Sequence, residues 1–194
     1  WSDSAYMGPP FLAYYGWVTQ NQSLVQMAFD ELKLQRSALH RPQDPGRHLW
    51  RHIIEFPNDT KATRAIDARV WLTGNGWAAA GMLRVAAIIS HSPWADKMQA
   101  QHDQLVQWAD DIITAAYQFV DPGTGLLLNA IDDPSTFLDG SGSALLSYAV
   151  FRLASMDQGR KKHVDMAEKA YQTLSKSLNS LSQFTNGIQT VNEI

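Results

Sequence analysis

Cysteine is absent from this chain of 194 residues. That excludes a disulfide framework and thiol catalysis, and it leaves the compartment open. Long apolar runs are missing too: none approaches the roughly 20 residues that a membrane-spanning helix needs, so no membrane partner is expected. Charge of one sign is equally scarce. Lys and Arg number 16 against 19 Asp and Glu, a net charge of −3, and the cations are scattered, which removes the electrostatic case for nucleic acid. The one basic cluster, Arg160-Lys-Lys-His163, is short and reads as the solvated start of a helix. No nucleotide loop fits, because Gly140-Ser-Gly142 lacks a third glycine and a preceding strand. A nucleophilic serine elbow is missing as well.

What remains is a globular composition. The chain is 45% apolar with seven tryptophans, and its length suits one domain with a substantial core. Two acceptor sequons, Asn21-Gln-Ser23 and Asn58-Asp-Thr60, lead to the expectation of a secreted protein, with the cytoplasm as the alternative. The chain opens at Trp1 with neither methionine nor signal peptide, so residue 1 is expected to be a processed or truncated end.

Helical periodicity dominates. It predicts helices over 4–19, 22–39, 77–91, 97–120, 141–156 and 161–182, with Pro9 and Pro10 in the first turn of the first or kinking it. Loops are expected at His40–Gly46, Ser92–Ala95 and Asp121–Gly125, and brief strands at Leu49–Ile54 and Leu126–Ile131. Six helices in consecutive antiparallel pairs form the simplest layout: an all-α fold of helical hairpins.

Three loop-to-helix junctions carry the chemistry. Trp71-Leu-Thr-Gly-Asn-Gly-Trp77 reads as a tight glycine turn flanked by indoles, ahead of a helix. Asp3, between Ser2 and Ser4 and beside Trp1, is either an N-cap or a carboxyl held against an aromatic wall. In the second case its pKa would rise toward that of a useful general acid/base. His52 is a satisfied core group or a site imidazole, and alternation in an extended segment would put it on one side with Trp50 and His48. No third ligand follows at a suitable spacing, so no metal site is expected. Trp77 is core or the rim of a sugar pocket, and Asp139 either caps the helix from 141 or orients a neighbouring group from behind the site. Asp132 and Asp133 before Pro134 read as turn residues.

These motifs resemble a known family. Trp1-Ser-Asp-Ser-Ala-Tyr-Met-Gly-Pro-Pro-Phe-Leu12 is similar to the catalytic-acid segment of the unsaturated glycuronyl hydrolases, glycoside hydrolase families 88 and 105. It looks closest to the unsaturated rhamnogalacturonyl hydrolases, fungal members included. Leu49-Trp-Arg-His52, Trp71 to Trp77 and Ser141-Gly-Ser-Ala144 match further family motifs in the family's order. The resemblance implies an (α/α)6 toroid of six helical hairpins, of which this chain supplies about half. It implies Asp3 as the acid, with His52, Trp77, Asn75, Trp71 and Trp1 at the sugar and Asp139 and Thr73 behind them. Many bacterial relatives carry Arg where Thr73 stands, and an Arg would suit the substrate's carboxylate.

The implied substrate is a pectin or rhamnogalacturonan oligosaccharide ending in a 4,5-unsaturated uronic acid. Its vinyl ether is hydrated without any cofactor. Residues 1–194 then form a single, incomplete domain, its N-terminal half missing, cleaved or supplied by a partner, and a homodimer or association with that half is expected. The rival reading is a lectin-like protein that reuses the scaffold without turnover.

Overall fold

The computed structural model describes residues 1–41, 48–55 and 64–188. The second sequon, at Asn58, and most of the expected loop His40–Gly46 lie outside the described residues. The expected all-α fold of helical hairpins is what the structure shows. Helices α1 (Ser4–Met7), α2 (Pro9–Val18) and α3 (Gln22–Leu39) are followed by strands β1 (Ile53–Glu55) and β2 (Arg64–Asp67). Then come α4 (Leu72–His91), α5 (Gln99–Ala116), α6 (Gly140–Met156) and α7 (Val164–Ile188).

The helix expected over 4–19 is interrupted at Gly8. Pro9 and Pro10 open α2, where a missing N–H costs nothing because the first turn has no acceptor for it. Asn21 accepts from the Ser23 N–H at 3.1 Å and so caps α3, which gives the first sequon's asparagine a structural task. The helix expected over 97–120 is α5 with a 3-10 turn at either end, Asp96–Met98 and Tyr117–Phe119. Arg160, expected to be solvated, instead pairs with Asp110 and Asp157 ahead of α7.

The largest correction concerns the glycine turn. Helix α4 starts at Leu72, so Gly74-Asn75-Gly76 lies inside its first turns and Trp77 does not begin it. The glycines serve close approach. A Cβ on Gly74 would sit 2.1 Å from Ser2 Oγ, and one on Gly81 2.3 Å from the Ala5 carbonyl oxygen. Backbone cannot yield as a flexible side-chain end can. Gly81→Ala is therefore expected to push α1 off α4 and to cost about 1–3 kcal/mol, read from the urea midpoint.

Three hairpins follow one another: α2/α3, α4/α5 and α6/α7. Helix α4 is central, with 14 of its 20 residues buried, as a helix apolar all round must be. It packs against α1, α2, α5 and α6. The pairings Gly142 with Leu72 and Gly76 with Leu145 show that α4 and α6 run parallel. Helices α1 and α2 run the same way, because Ala5 meets Gly81 while Trp17 shares a groove with His91. The N-termini of α1, α4 and α6 are thereby brought to one end of the molecule.

Strands β1 and β2 pair antiparallel, with Ile53 opposite Asp67. Strand β1 overlaps the expected Leu49–Ile54, whereas β2 was not expected. The segment 126–131 forms only isolated bridges, Leu128 with Leu138 and Ala130 with Trp71. At the end of α3, burial holds the His40 imidazole down at about 4, with Arg36 and His48 adding to it and Asp111 opposing. The folded state thus resists a proton that the unfolded chain accepts near the ordinary 6.5. Stability is full above about pH 6.5 and is lost as the pH falls from there toward about 4. His40→Gln should flatten that part of a plot of urea midpoint against pH.

Candidate active site

The converging helix N-termini hold the residues that the sequence singles out. Asp3 occupies the N-cap position of α1, yet its side chain makes no capping hydrogen bond and its backbone is already helical (φ −68, ψ −23). Its Oδ1 is buried and has no hydrogen-bond partner. The capping role is therefore not what this carboxyl does. An unpaired buried carboxyl oxygen costs stability, and such groups in native proteins call for an explanation. Asp3 sits between Ser2, which presses on Gly74, and Ala5, which presses on Gly81. That lays it alongside the stretch of α4 that carries Trp77.

Trp77 is half-buried, its ring centroid 4.6 Å from that of Tyr6. Arg84 donates to the Tyr6 hydroxyl at 2.6 Å, with its guanidinium carbon 5.0 Å from the centre of the same ring. Tyr6 and Arg84 escape the sequence reading. A signal existed for Arg84, seven residues after Trp77 and so on the same face of a helix.

His52 lies between two indoles, 4.4 Å from Trp71 and edge-on to Trp1 at 6.0 Å. Its carbonyl accepts from the Ser2 N–H at 2.9 Å, which ties the imidazole to the segment holding Asp3. Its Nδ1 lies 2.9 Å from Asp67 Oδ2. Arg69 grips the same carboxylate, Nε to Oδ1 at 2.9 Å and a terminal nitrogen to Oδ2 at 2.7 Å. These Arg69 bonds, joined by His52, hold the Asp67 carboxyl well below the usual carboxylate range against the opposing effect of burial. An ionised Asp67 only accepts, so the proton sits on Nδ1 of His52 and Nε2 is left for a ligand. No sequence signal announces Asp67, since it is the pairing of Ile53 with Asp67 across β1 and β2 that places it beside His52.

Other expected neighbours do not assemble. Trp50 is fully buried in the core. His48 lies against the His40 ring and 3.7 Å from Asp111, while His52 is engaged with Asp67.

Asn75 is a second correction. It is fully buried and spends its amide internally. Nδ2 donates to the carbonyls of Trp50 at 3.0 Å and Trp71 at 2.9 Å, and Oδ1 accepts from the Trp50 N–H at 2.8 Å. These bonds pin the loop leading to His52 onto α4. Asp139 and Thr73 do meet, Thr73 Oγ1 donating to Asp139 Oδ2 at 3.2 Å. Asn129 donates to that oxygen at 2.9 Å, while Oδ1 takes the Gly142 N–H at 3.0 Å and the Ser141 hydroxyl at 2.7 Å. Burial pushes the Asp139 carboxyl up, but the four donors together outweigh it and leave the group below its ordinary value. Asp139 caps α6 and locks it to the start of α4.

One end of the chain thus presents a buried, unpaired carboxyl, a fixed imidazole and exposed or half-buried indoles. Residues 1–192 match the sequence profile of Glycosyl Hydrolase Family 88. The chain belongs to this family. Among solved structures, this family 88 chain is similar to a possible member of the GH105 family from Klebsiella pneumoniae. The two share 21% identity with a TM-score of 0.77, over 91% of this chain and 43% of that one. It is also similar to the unsaturated glucuronyl hydrolase of Bacillus sp. GL1, at 18% identity and TM-score 0.67 over 89% of this chain and 45% of that one. A structure of UGL with dGlcA-Glc-Rha-Glc matches at 19% identity and TM-score 0.67, again over 89% and 45%. These relatives are (α/α)6 toroids, and the family 88 chain spans less than half the length of each.

Proposed function

We propose that this chain carries the acid/base of a hydrolase for oligosaccharides ending in a 4,5-unsaturated uronic acid, with rhamnogalacturonan fragments as the substrate. The observation that carries the reading is Asp3: a carboxyl that neither caps its helix nor pairs its buried Oδ1, in the segment between Trp1 and Tyr6. In the reaction, protonated Asp3 gives its proton to C4 of the vinyl ether. The resulting carboxylate takes a proton from water as the hydroxyl adds at C5. The hemiketal so formed opens and releases the next sugar. One group is thus acid and then base at one locus, and the double bond is consumed without an organic cofactor. Trp1, Trp71 and Trp77 offer flat faces to sugar rings, and His52 Nε2 offers a hydrogen bond. The N-terminal ends of α4 and α6 add partial positive charge at the same end, where a uronate carboxylate would lie.

Residues 1–194 then act as one unit supplying about half of a toroid, and helices from elsewhere complete the cavity. Either the remaining half, continuous or cleaved, or a second copy is the source. An extracellular setting, where such polymer fragments arise, belongs to the same proposal. The test is to compare an unsaturated galacturonosyl-rhamnose disaccharide with its saturated counterpart, using the protein in the composition in which it is isolated. Loss of the double-bond ultraviolet absorbance, with the saturated sugar untouched, is expected. Cleavage of both, or binding with no loss of absorbance, overturns the proposal.

A further inference from the structure

We propose that Asp67 is a positioning residue: it fixes the His52 imidazole with its proton on Nδ1, so that Nε2 takes a hydroxyl of the sugar and turns away the sugar's carboxylate. The inference rests on the reading that a uronic-acid oligosaccharide binds at this end of the chain, and it assigns which of that sugar's groups His52 reads.

A carboxylate accepts about four hydrogen bonds, and Asp67 has a neighbour at every one of those places. Its Oδ1 takes the Arg69 backbone N–H at 3.1 Å and Arg69 Nε at 2.9 Å. Its Oδ2 takes a terminal nitrogen of Arg69 at 2.7 Å and faces His52 Nδ1 at 2.9 Å. The Arg69 groups can only donate, and they sit two residues along the chain, so these bonds form whether or not a histidine is near. The fourth bond reaches across to the segment before β1, and only a donating Nδ1 can make it, since a lone pair there would face a lone pair. The backbone fixes the same meeting. The His52 N–H donates to the Arg69 carbonyl at 3.0 Å, and the His52 carbonyl takes the Ser2 N–H at 2.9 Å. Trp71 and Trp1 stand on either side of the ring. Turning the ring to exchange its nitrogens would therefore break the Asp67 bond inside a confined setting.

Burial sharpens the consequence. The His52 and Asp67 side chains are 18% and 16% exposed, whereas that of Arg69 is 67% exposed. The carboxylate thus lies against the imidazole, with the cation at the solvent edge. With the proton on Nδ1, the neutral ring carries a bare lone pair on Nε2. A sugar hydroxyl has a proton to give to that lone pair. A uronate carboxylate has none, and at Nε2 it would set acceptor against acceptor with the Asp67 charge behind the ring. The carboxylate is left to the N-terminal ends of α4 and α6, and a hydroxyl falls to His52.

Asp67→Asn tests this, because the amide keeps the shape and places a donor on one side. Arg69 can only donate and so takes the amide oxygen, which turns the amide N–H toward His52 Nδ1 and moves the ring proton to Nε2. Nitrogen NMR of the labelled, sugar-free protein at about pH 8, where an ordinary imidazole is neutral, reads this directly, with His52→Phe identifying the signals. The expected result is Nδ1–H in the parent and Nε2–H in Asp67→Asn, a change that a purely structural role for Asp67 would not produce. The sugar hydroxyl would then have to turn round and accept, giving up a bond that the Asp67 charge strengthens. Calorimetry should show the unsaturated galacturonosyl-rhamnose disaccharide and its methyl ester each binding about fivefold more weakly to Asp67→Asn. In a His52→Phe background, Asp67→Asn should add no further loss. A parent ring with its proton on Nε2 or on both nitrogens, an unchanged tautomer in Asp67→Asn, unchanged affinity, or additive losses overturns the proposal. So does tighter binding of the acid but not of the ester by Asp67→Asn, which would put the carboxylate at Nε2. A parent protein that binds neither sugar overturns the reading of the site and this inference with it. Turnover is not measured, so failure of the hydrolase reading with binding intact is distinguished from failure here.

Discussion

Asp3→Asn is expected to lower turnover of the unsaturated disaccharide about 10³-fold while leaving sugar affinity and the urea midpoint close to those of the parent protein. The reason for the split lies in what Asp3 does not do. It makes no capping bond, so its replacement by a side chain of the same shape removes no hydrogen bond from the fold. Its Oδ1 is buried with no partner, so what is lost is the ability to give and take a proton. The measurement pairs the ultraviolet assay with calorimetric binding of the disaccharide and with urea unfolding. A fall in the midpoint by the amount typical of a lost N-cap, about 1 kcal/mol, would return Asp3 to a structural role. Unchanged turnover would remove it from the chemistry altogether.

Asn75→Ala should do the opposite and strike the fold first. It strips the Trp50 N–H and carbonyl of their partner in a fully buried setting and removes one of the bonds to the Trp71 carbonyl. Buried groups left unsatisfied cost about 1–3 kcal/mol each, so the total loss is about 3 kcal/mol, or about 10 °C in melting temperature for a domain of this size. Asn75→Asp keeps the volume but turns an acceptor toward two carbonyl oxygens, and it should be no more stable than the alanine variant. His52 hangs on the loop that Asn75 pins, so sugar binding should weaken in proportion to the loss of stability. Intact stability with lost sugar binding would restore Asn75 to the substrate.

The two predictions show where the sequence is legible. Asn75 and Trp77 stand two residues apart in a stretch that reads as a glycine turn, and both looked like site residues. Their fates differ because that stretch is helical: on α4, Asn75 faces Trp50 and is buried, while Trp77 remains half-exposed beside Tyr6. The glycines misled because two different needs, positive φ and close approach, select the same residue. The contact that distinguishes them, Gly74 against Ser2 and Gly81 against Ala5, comes from a segment about seventy residues away in the chain.

By itself the sequence determined what is local or compositional. Helical periodicity marked all three hairpins, because an amphipathic or wholly apolar helix writes its burial into a spacing of three and four. The order of the motifs from Trp1 to Ala144 pointed to the family that residues 1–192 match. It also placed Asp3, Trp1 and Trp71 at loop-to-helix junctions. Only the tertiary structure decided which polar groups meet. The Asp67 clamp on His52 depends on the register of a hairpin with no periodic signal, and the Asp139 junction joins residues 66 apart. Arg84 and Arg152 share one groove because α4 and α6 run parallel. Such meetings depend on the relative placement of whole elements, and that placement is settled by packing over the full core rather than by any window of the chain.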